Sequence, residues 1–253
     1  MKIDNVGQLP EDRLKMPPPY WRSSGMVFQI ISSLEDLCGL LKELVPLNDK
    51  TDTLLQDYFS RNPEPNDDDP KFGEICNDLW ELEHKISLKA EVSMLMSAIA
   101  AEDRLNMFCV YNLDKDIVEP LERLSPLEKL QMASAILGHR GIKSKRPYSA
   151  LKRLTTWRNA FAHGHCVDRP TKTLRHNHLI EPSEFPTVPK FIADLIDIAD
   201  GYIQICRYLA SISVNPYTAG TSVELKEIEQ CLDHISKYCF EGSNSAYEIR
   251  FEG

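Results

Sequence analysis

An arginine and a histidine five positions apart, Arg158 and His163, stand in the run Trp157-Arg158-Asn159-Ala160-Phe161-Ala162-His163-Gly164. A guanidinium fork binds phosphate oxygens bidentately and keeps its charge at any accessible pH. An imidazole gives or takes a proton near neutrality. Together they are a minimal kit for cleaving a phosphodiester without metal. Five residues advance about 140° around an ideal helix, so a single helix does not aim both side chains at one atom. Asn159 and His163 lie four apart and share a helix face, which suits Asn159 to orient the imidazole. The structural alternative gives Arg158 a helix-surface ion pair to Glu102 or Asp103. It gives His163 a favourable place against the dipole at a helix C-terminus.

The surrounding charge favours a polyanion. The chain as a whole is acidic, with net charge −9. Yet the window from His139 to His178 carries +9, which leaves −18 for the remainder. Arg140, Lys143, Lys145, Arg146, Lys152 and Arg153 lead up to the Arg/His pair and form an island suited to the phosphate backbone of RNA. Five of the seven histidines fall in the same window. His165, seven residues after Arg158, competes with His163 for the catalytic role. Zinc is the rival chemistry, through His163-Gly164-His165-Cys166 and His176-Asn177-His178. That spacing matches no standard finger, and Arg169, Lys172 and Arg175 would repel a cation, so neither a metal nor another cofactor is expected.

The elements that must position these residues read as helices. Apolar residues recur at three- and four-residue steps from Val27 to Leu44, and a second short helix is expected over 52–59 after an irregular first 25 residues. The stretch 62–70, with three prolines and four acids, is a loop and the main boundary. A long helix follows over 74–111, with Val92, Leu95, Met96, Ile99, Ala100, Met107 and Val110 as its buried stripe. Glu102 and Asn106, four apart on another face, border the cleft. Ser125-Pro126-Leu127-Glu128 is a capping box opening a helix that Gly138 stops. Further helices are expected over 149–163, 189–213 and 221–239, with a loop over 165–188. In the helix over 189–213, Asp194, Asp197, Asp200 and Gln204 make the polar side. Trp157 and Phe161 are expected to anchor the motif helix in the core. No Gly-rich phosphate loop, βαβ alternation or internal repeat is present. The fold class is therefore all-α, an antiparallel helical bundle over 76–214 with a helical extension over 1–75 and a final helix and tail over 215–253.

The Arg-Asn start, the Ala-His-Gly ending and the place of the motif late in the third bundle helix make residues 80–213 resemble HEPN domains and their Arg-x(4–6)-His motif. The resemblance implies a metal-independent endoribonuclease of toxin or antiviral type, acting on single-stranded RNA through attack of the 2′-hydroxyl. His163 is then the general acid or base, and Arg158 holds the charge that builds on phosphorus-bound oxygens. It also implies a homodimer in which motifs from two copies line one cleft, and an antitoxin or other regulatory protein as a further partner. Members controlled by nucleotide transfer carry a tyrosine two places after the histidine, where this chain has His165. A catalytically silent HEPN-like module that binds nucleotide, RNA or protein is the alternative.

Seven cysteines without a Cys-x-x-Cys pair, no apolar run near the roughly 20 residues of a membrane span, and no signal-peptide pattern point to a reduced, cytoplasmic protein away from membranes.

Overall fold

Helix-forming periodicity runs almost unbroken through this chain, and the computed structural model follows it. Described are residues 19–62, 69–163, 188–214 and 222–241, with side chains over 25–62, 69–159, 192–214 and 223–237. The helices are α1 (Pro19–Arg61), α2 (Pro70–Asn112), α3 (Lys115–Leu121), α4 (Pro126–Ile136), α5 (Arg146–His163), α6 (Val188–Ile212) and α7 (Ser222–Glu241), with one 3-10 turn at Ile142–Ser144. No strand occurs among the described residues, and the protein is all-α.

α1 is one helix where the sequence predicts an irregular start, a helix and a second short helix. Pro46 lies inside it, and an internal proline costs a helix roughly 3 kcal/mol. The heptad phase nevertheless holds across it. Leu34, Leu37 and Leu41 before the proline, and Thr51, Leu55 and Tyr58 after it, are all buried. Packing along that seam against α2 outweighs the break. Lys89 meets Asp36 at 2.5 Å and Tyr58 donates to Asp69, so α1 and α2 run antiparallel. Asp69 also caps α2 by accepting from the Lys71 N–H at 2.9 Å.

The expected stripe on α2 is displaced. Of its seven residues only Ala100 and Met107 are buried. Buried beside them are Ile86, Ala90, Ser93, Met94, Ser97, Ala98, Ala101, Leu105, Phe108 and Cys109, among others. α2 touches α1, α3, α4, α5 and α6, so its C-terminal half is covered on most sides. Small residues admit these neighbours closely without marking an apolar stripe in the sequence.

α4 carries the predicted capping box, with Ser125 N–H donating to Glu128 at 3.0 Å and Glu128 N–H returning to Ser125 Oγ at 3.4 Å. It ends as predicted at Gly138, whose φ of 86° is left-handed. The His139 N–H closes that end onto the Ser134 carbonyl at 2.8 Å. α6 buries Leu195, Ile198, Tyr202, Ile205 and Leu209, but Asp194, assigned to its polar side, is also buried. One apolar cluster draws side chains from each of the seven helices among the described residues, including α1 and α7 on either side of the region 76–214. Arg104 on α2, paired with Glu224 of α7 at 3.3 Å, adds a polar tie to that packing.

Candidate functional site

α5 sets the site by dividing its residues between two sides. Ala150, Leu151, Leu154 and Trp157 are buried, with Trp157 only 2% exposed. Ser149 and Lys152 are exposed on the opposite side, and Thr156 and Asn159 there are half-buried. His163 is the last residue of the helix. Eleven residues beyond Lys152 and four beyond Asn159, its backbone position falls in line with this polar side. Lys152, Thr156, Asn159 and His163 thus make one continuous file.

Arg158 stands one step round the helix, in the crevice between α5 and α2. Its Nη1 forms an ion pair with the Glu102 carboxylate, both side chains being 28% exposed. Its Nε and Nη2 donate to Asn159 Oδ1 at 3.2 and 2.9 Å. Three of the five guanidinium N–H groups are engaged in this way, leaving two for an incoming oxygen among the described contacts. The ion pair sits within reach of solvent, where such a pair contributes roughly 0–1 kcal/mol. A phosphate dianion or monoester competes readily with a carboxylate held so weakly. Glu102 therefore fixes the guanidinium without burying its charge.

Asn159 thus serves the arginine. The sequence assigns its amide to the imidazole; its carbonyl oxygen accepts from the neighbouring guanidinium, and a pairing of its N–H groups with His163 lies outside the described residues. Glu102 is the ion-pair partner that the structural alternative offered Arg158. Asn106 does not join it: its carbonyl accepts from Lys129 Nζ of α4 at 2.5 Å. Lys129 is 6% exposed, a buried cation whose sequence surroundings give no sign of that role. The side chain of His163, and the whole of His165, Cys166, His176 and His178, lie outside the described residues. Among the described residues no cluster suited to a metal ion occurs, and no helix is long and apolar enough to cross a membrane.

The basic island begins at a sharp elbow before α5. Gly138 and Gly141, with φ of 86° and 78°, turn the chain, and Ile142 plugs it into the core. A side chain at either glycine position costs roughly 1–2 kcal/mol in the left-handed conformation. Around that anchor Arg140, Lys143, Lys145 and Arg146 are exposed, as is Lys152 one turn and a half along α5. None of these five forms an ion pair with another described residue. Arg153 differs, because its Nε meets Asp197 of α6 at 2.8 Å. Lys152 shares the solvent side of α5 with the Asn159 file, the other exposed cations lie at or before the start of the helix, and Arg158 lies beside the file toward α2. Twelve residues separate Arg146 from Arg158, about 18 Å of helix, or roughly three nucleotides of extended backbone.

Comparison with protein-family models, with curated proteins and with solved structures finds no match to this chain. The functional reading therefore rests on the chemistry of the site.

Proposed function

We propose that the protein is a metal-independent endoribonuclease of HEPN type, acting as a toxin or an antiviral or stress effector on single-stranded RNA. The observation that supports it most is the held guanidinium of Arg158, fixed by Glu102 and Asn159 with donors to spare beside the polar file of α5. In this reading the RNA 2′-oxygen attacks the adjacent phosphorus while a base removes its proton. The bond from phosphorus to the 5′-oxygen breaks as an acid protonates the leaving group. The products are a cyclic phosphate and a free 5′-hydroxyl. Arg158 neutralises the charge on the non-bridging oxygens, where a preorganised donor is worth about 10²–10³ in rate. His163 supplies the base or the acid. Two copies about a two-fold axis near α5 would bring two Arg158 and two His163 to one cleft, which meets the requirement for both proton-transfer partners. DNA is not a substrate, since the nucleophile is the 2′-hydroxyl.

The test is incubation of purified protein with total RNA in EDTA. Cleavage with cyclic-phosphate ends is expected, and abolition by chelation with rescue by zinc would replace this reading with a metal one. Light scattering should give a dimer at micromolar concentration; a strict monomer counts against the composite cleft.

A second reading, a silent module that binds RNA, nucleotide or protein, is favoured by the Glu102 carboxylate already occupying Arg158. The exposed cations separate the two classes of partner. Changing Lys143, Lys145 and Arg146 to Glu should weaken RNA binding and lower its salt slope by about 2, as expected for three lost single-strand phosphate contacts. Stability should hardly change, because surface charges contribute little to it. Unaltered RNA affinity in this variant would point to an acidic protein partner on that face.

A further inference from the structure

Away from α5, two cysteines 193 residues apart in sequence meet where α7 lies along α1. Cys38 Sγ of α1 donates to the Cys231 carbonyl of α7 at 3.8 Å. That contact sets the Cys38 thiol beside Cys231, whose side chain is the largest single influence on it. Both are half-buried, at the margin of the seam made by Leu34, Leu37 and Leu41 with Ile228, Leu232 and Ile235, so a small oxidant reaches them. Cys76, Cys109 and Cys206 are buried outright.

We propose that Cys38 and Cys231 are a peroxide-oxidisable thiol pair that closes to a disulfide joining α1 to α7. The two members are unequal. Charged groups face Cys38 from both helices, Glu35 and Lys42 on α1 and His234 on α7. The hydrogen bond from the Cys231 thiol, followed by His234 and Lys42, pulls the Cys38 thiol down to about 7 against burial and Glu35. Cys231, which keeps its proton to make that bond and also faces Glu35 and Glu227, is pushed up. Burial pushes Cys109 and Cys206 up to about 11. Cys38 is therefore the thiol more readily ionised, and the buried Cys109 and Cys206 are the less reactive ones.

The chemistry follows from that asymmetry. The Cys38 thiolate attacks one oxygen of hydrogen peroxide, the O–O bond breaks, and Cys38 becomes a sulfenic acid with release of water. The Cys231 sulfur then attacks the Cys38 sulfur, the S–O bond breaks, and a second water leaves. Two thiols lose two electrons and two protons, and one peroxide becomes two waters. Thiol reductants reverse the closure by exchange.

The test is treatment of reduced full-length protein with hydrogen peroxide, alkylation of remaining thiols with iodoacetamide, and peptide mass mapping. A cross-link between the peptides carrying Cys38 and Cys231, removed by dithiothreitol, is expected, with Cys76, Cys109 and Cys206 still free. In Cys231→Ser, Cys38 should accumulate as a dimedone-trapped sulfenic acid. In Cys231→Ala, which removes the neighbouring donor, the midpoint of the Cys38 alkylation rate should move up toward that of an ordinary thiol. In Cys38→Ser, Cys231 should give no such adduct. If peroxide leaves both Cys38 and Cys231 alkylatable, or links either to Cys166 or Cys239 instead, the proposal fails. The wild-type mapping decides the matter even if a serine variant does not fold.

Discussion

Alanine at His163 is expected to lower RNA cleavage in EDTA by about 10²–10⁴-fold, the range for losing a positioned general acid or base. Alanine at Arg158 should cost about 10²–10³-fold, because a held donor to the developing oxyanion is lost. The two losses should not multiply in the double variant, since the residues act in one step on one phosphate. Arg158→Lys should recover little, because an ammonium cannot span both Asn159 Oδ1 and an incoming phosphate in the manner of a planar fork. His165→Ala serves as the internal comparison. Full activity in His163→Ala combined with loss in His165→Ala would move the proton-transfer role two residues along. Wild-type cleavage rates in both Arg158→Ala and His163→Ala would sink the nuclease assignment as a whole. Turnover by single-hit fluorescence of a short RNA, with folding checked by circular dichroism, reads all these outcomes.

Trp157→Ala is expected to destabilise the protein by about 3–5 kcal/mol, the range for truncating a large buried aromatic and leaving a cavity. That is a large part of a typical total of 5–15 kcal/mol. Trp157 is 2% exposed and immediately precedes Arg158, so the indole fixes the rotation of α5. Phe at this position should restore much of the stability, having most of the same volume. Urea denaturation measures the effect. If Trp157→Ala unfolds at the wild-type midpoint, α5 is not anchored through this side chain, and the placement of Arg158 between α5 and α2 needs another cause.

Where local chemistry fixes a feature, the sequence announces it. The Ser125–Glu128 box, the stop at Gly138 and the buried side of α6 are written in residue type and spacing, and the structure carries all three. Trp157 as a core anchor is of the same kind. Features that depend on what lies opposite were less legible. Pro46 reads as a break because the seam that carries α1 through it is supplied by α2. The buried face of α2 includes Ser93, Ser97 and Ala98, which no hydrophobic pattern picks out, while Val92, Leu95 and Ile99 remain half-buried. At the site, the Arg158–Glu102 pair follows from two charges on helices that the fold would bring together. The grip of Asn159 on Arg158 does not, because a side chain folding onto its immediate neighbour has no helical periodicity. Arg153 sits in the basic island by sequence, yet α6 supplies Asp197 opposite it.

The enclosure of α2 has a consequence for motion. From Ser93 to Cys109 most of its side chains are buried on several sides at once, so its amide protons exchange with solvent mainly when the whole molecule opens. α5 lays only one side against the core, and its polar side can breathe in smaller excursions. Glu102 belongs to the slow helix and Arg158 to the faster one. The carboxylate is a fixed post against which the guanidinium is held. Where the positive charge stands is therefore set by the stability of the entire fold, and local opening of α5 would be the cheaper way to displace it.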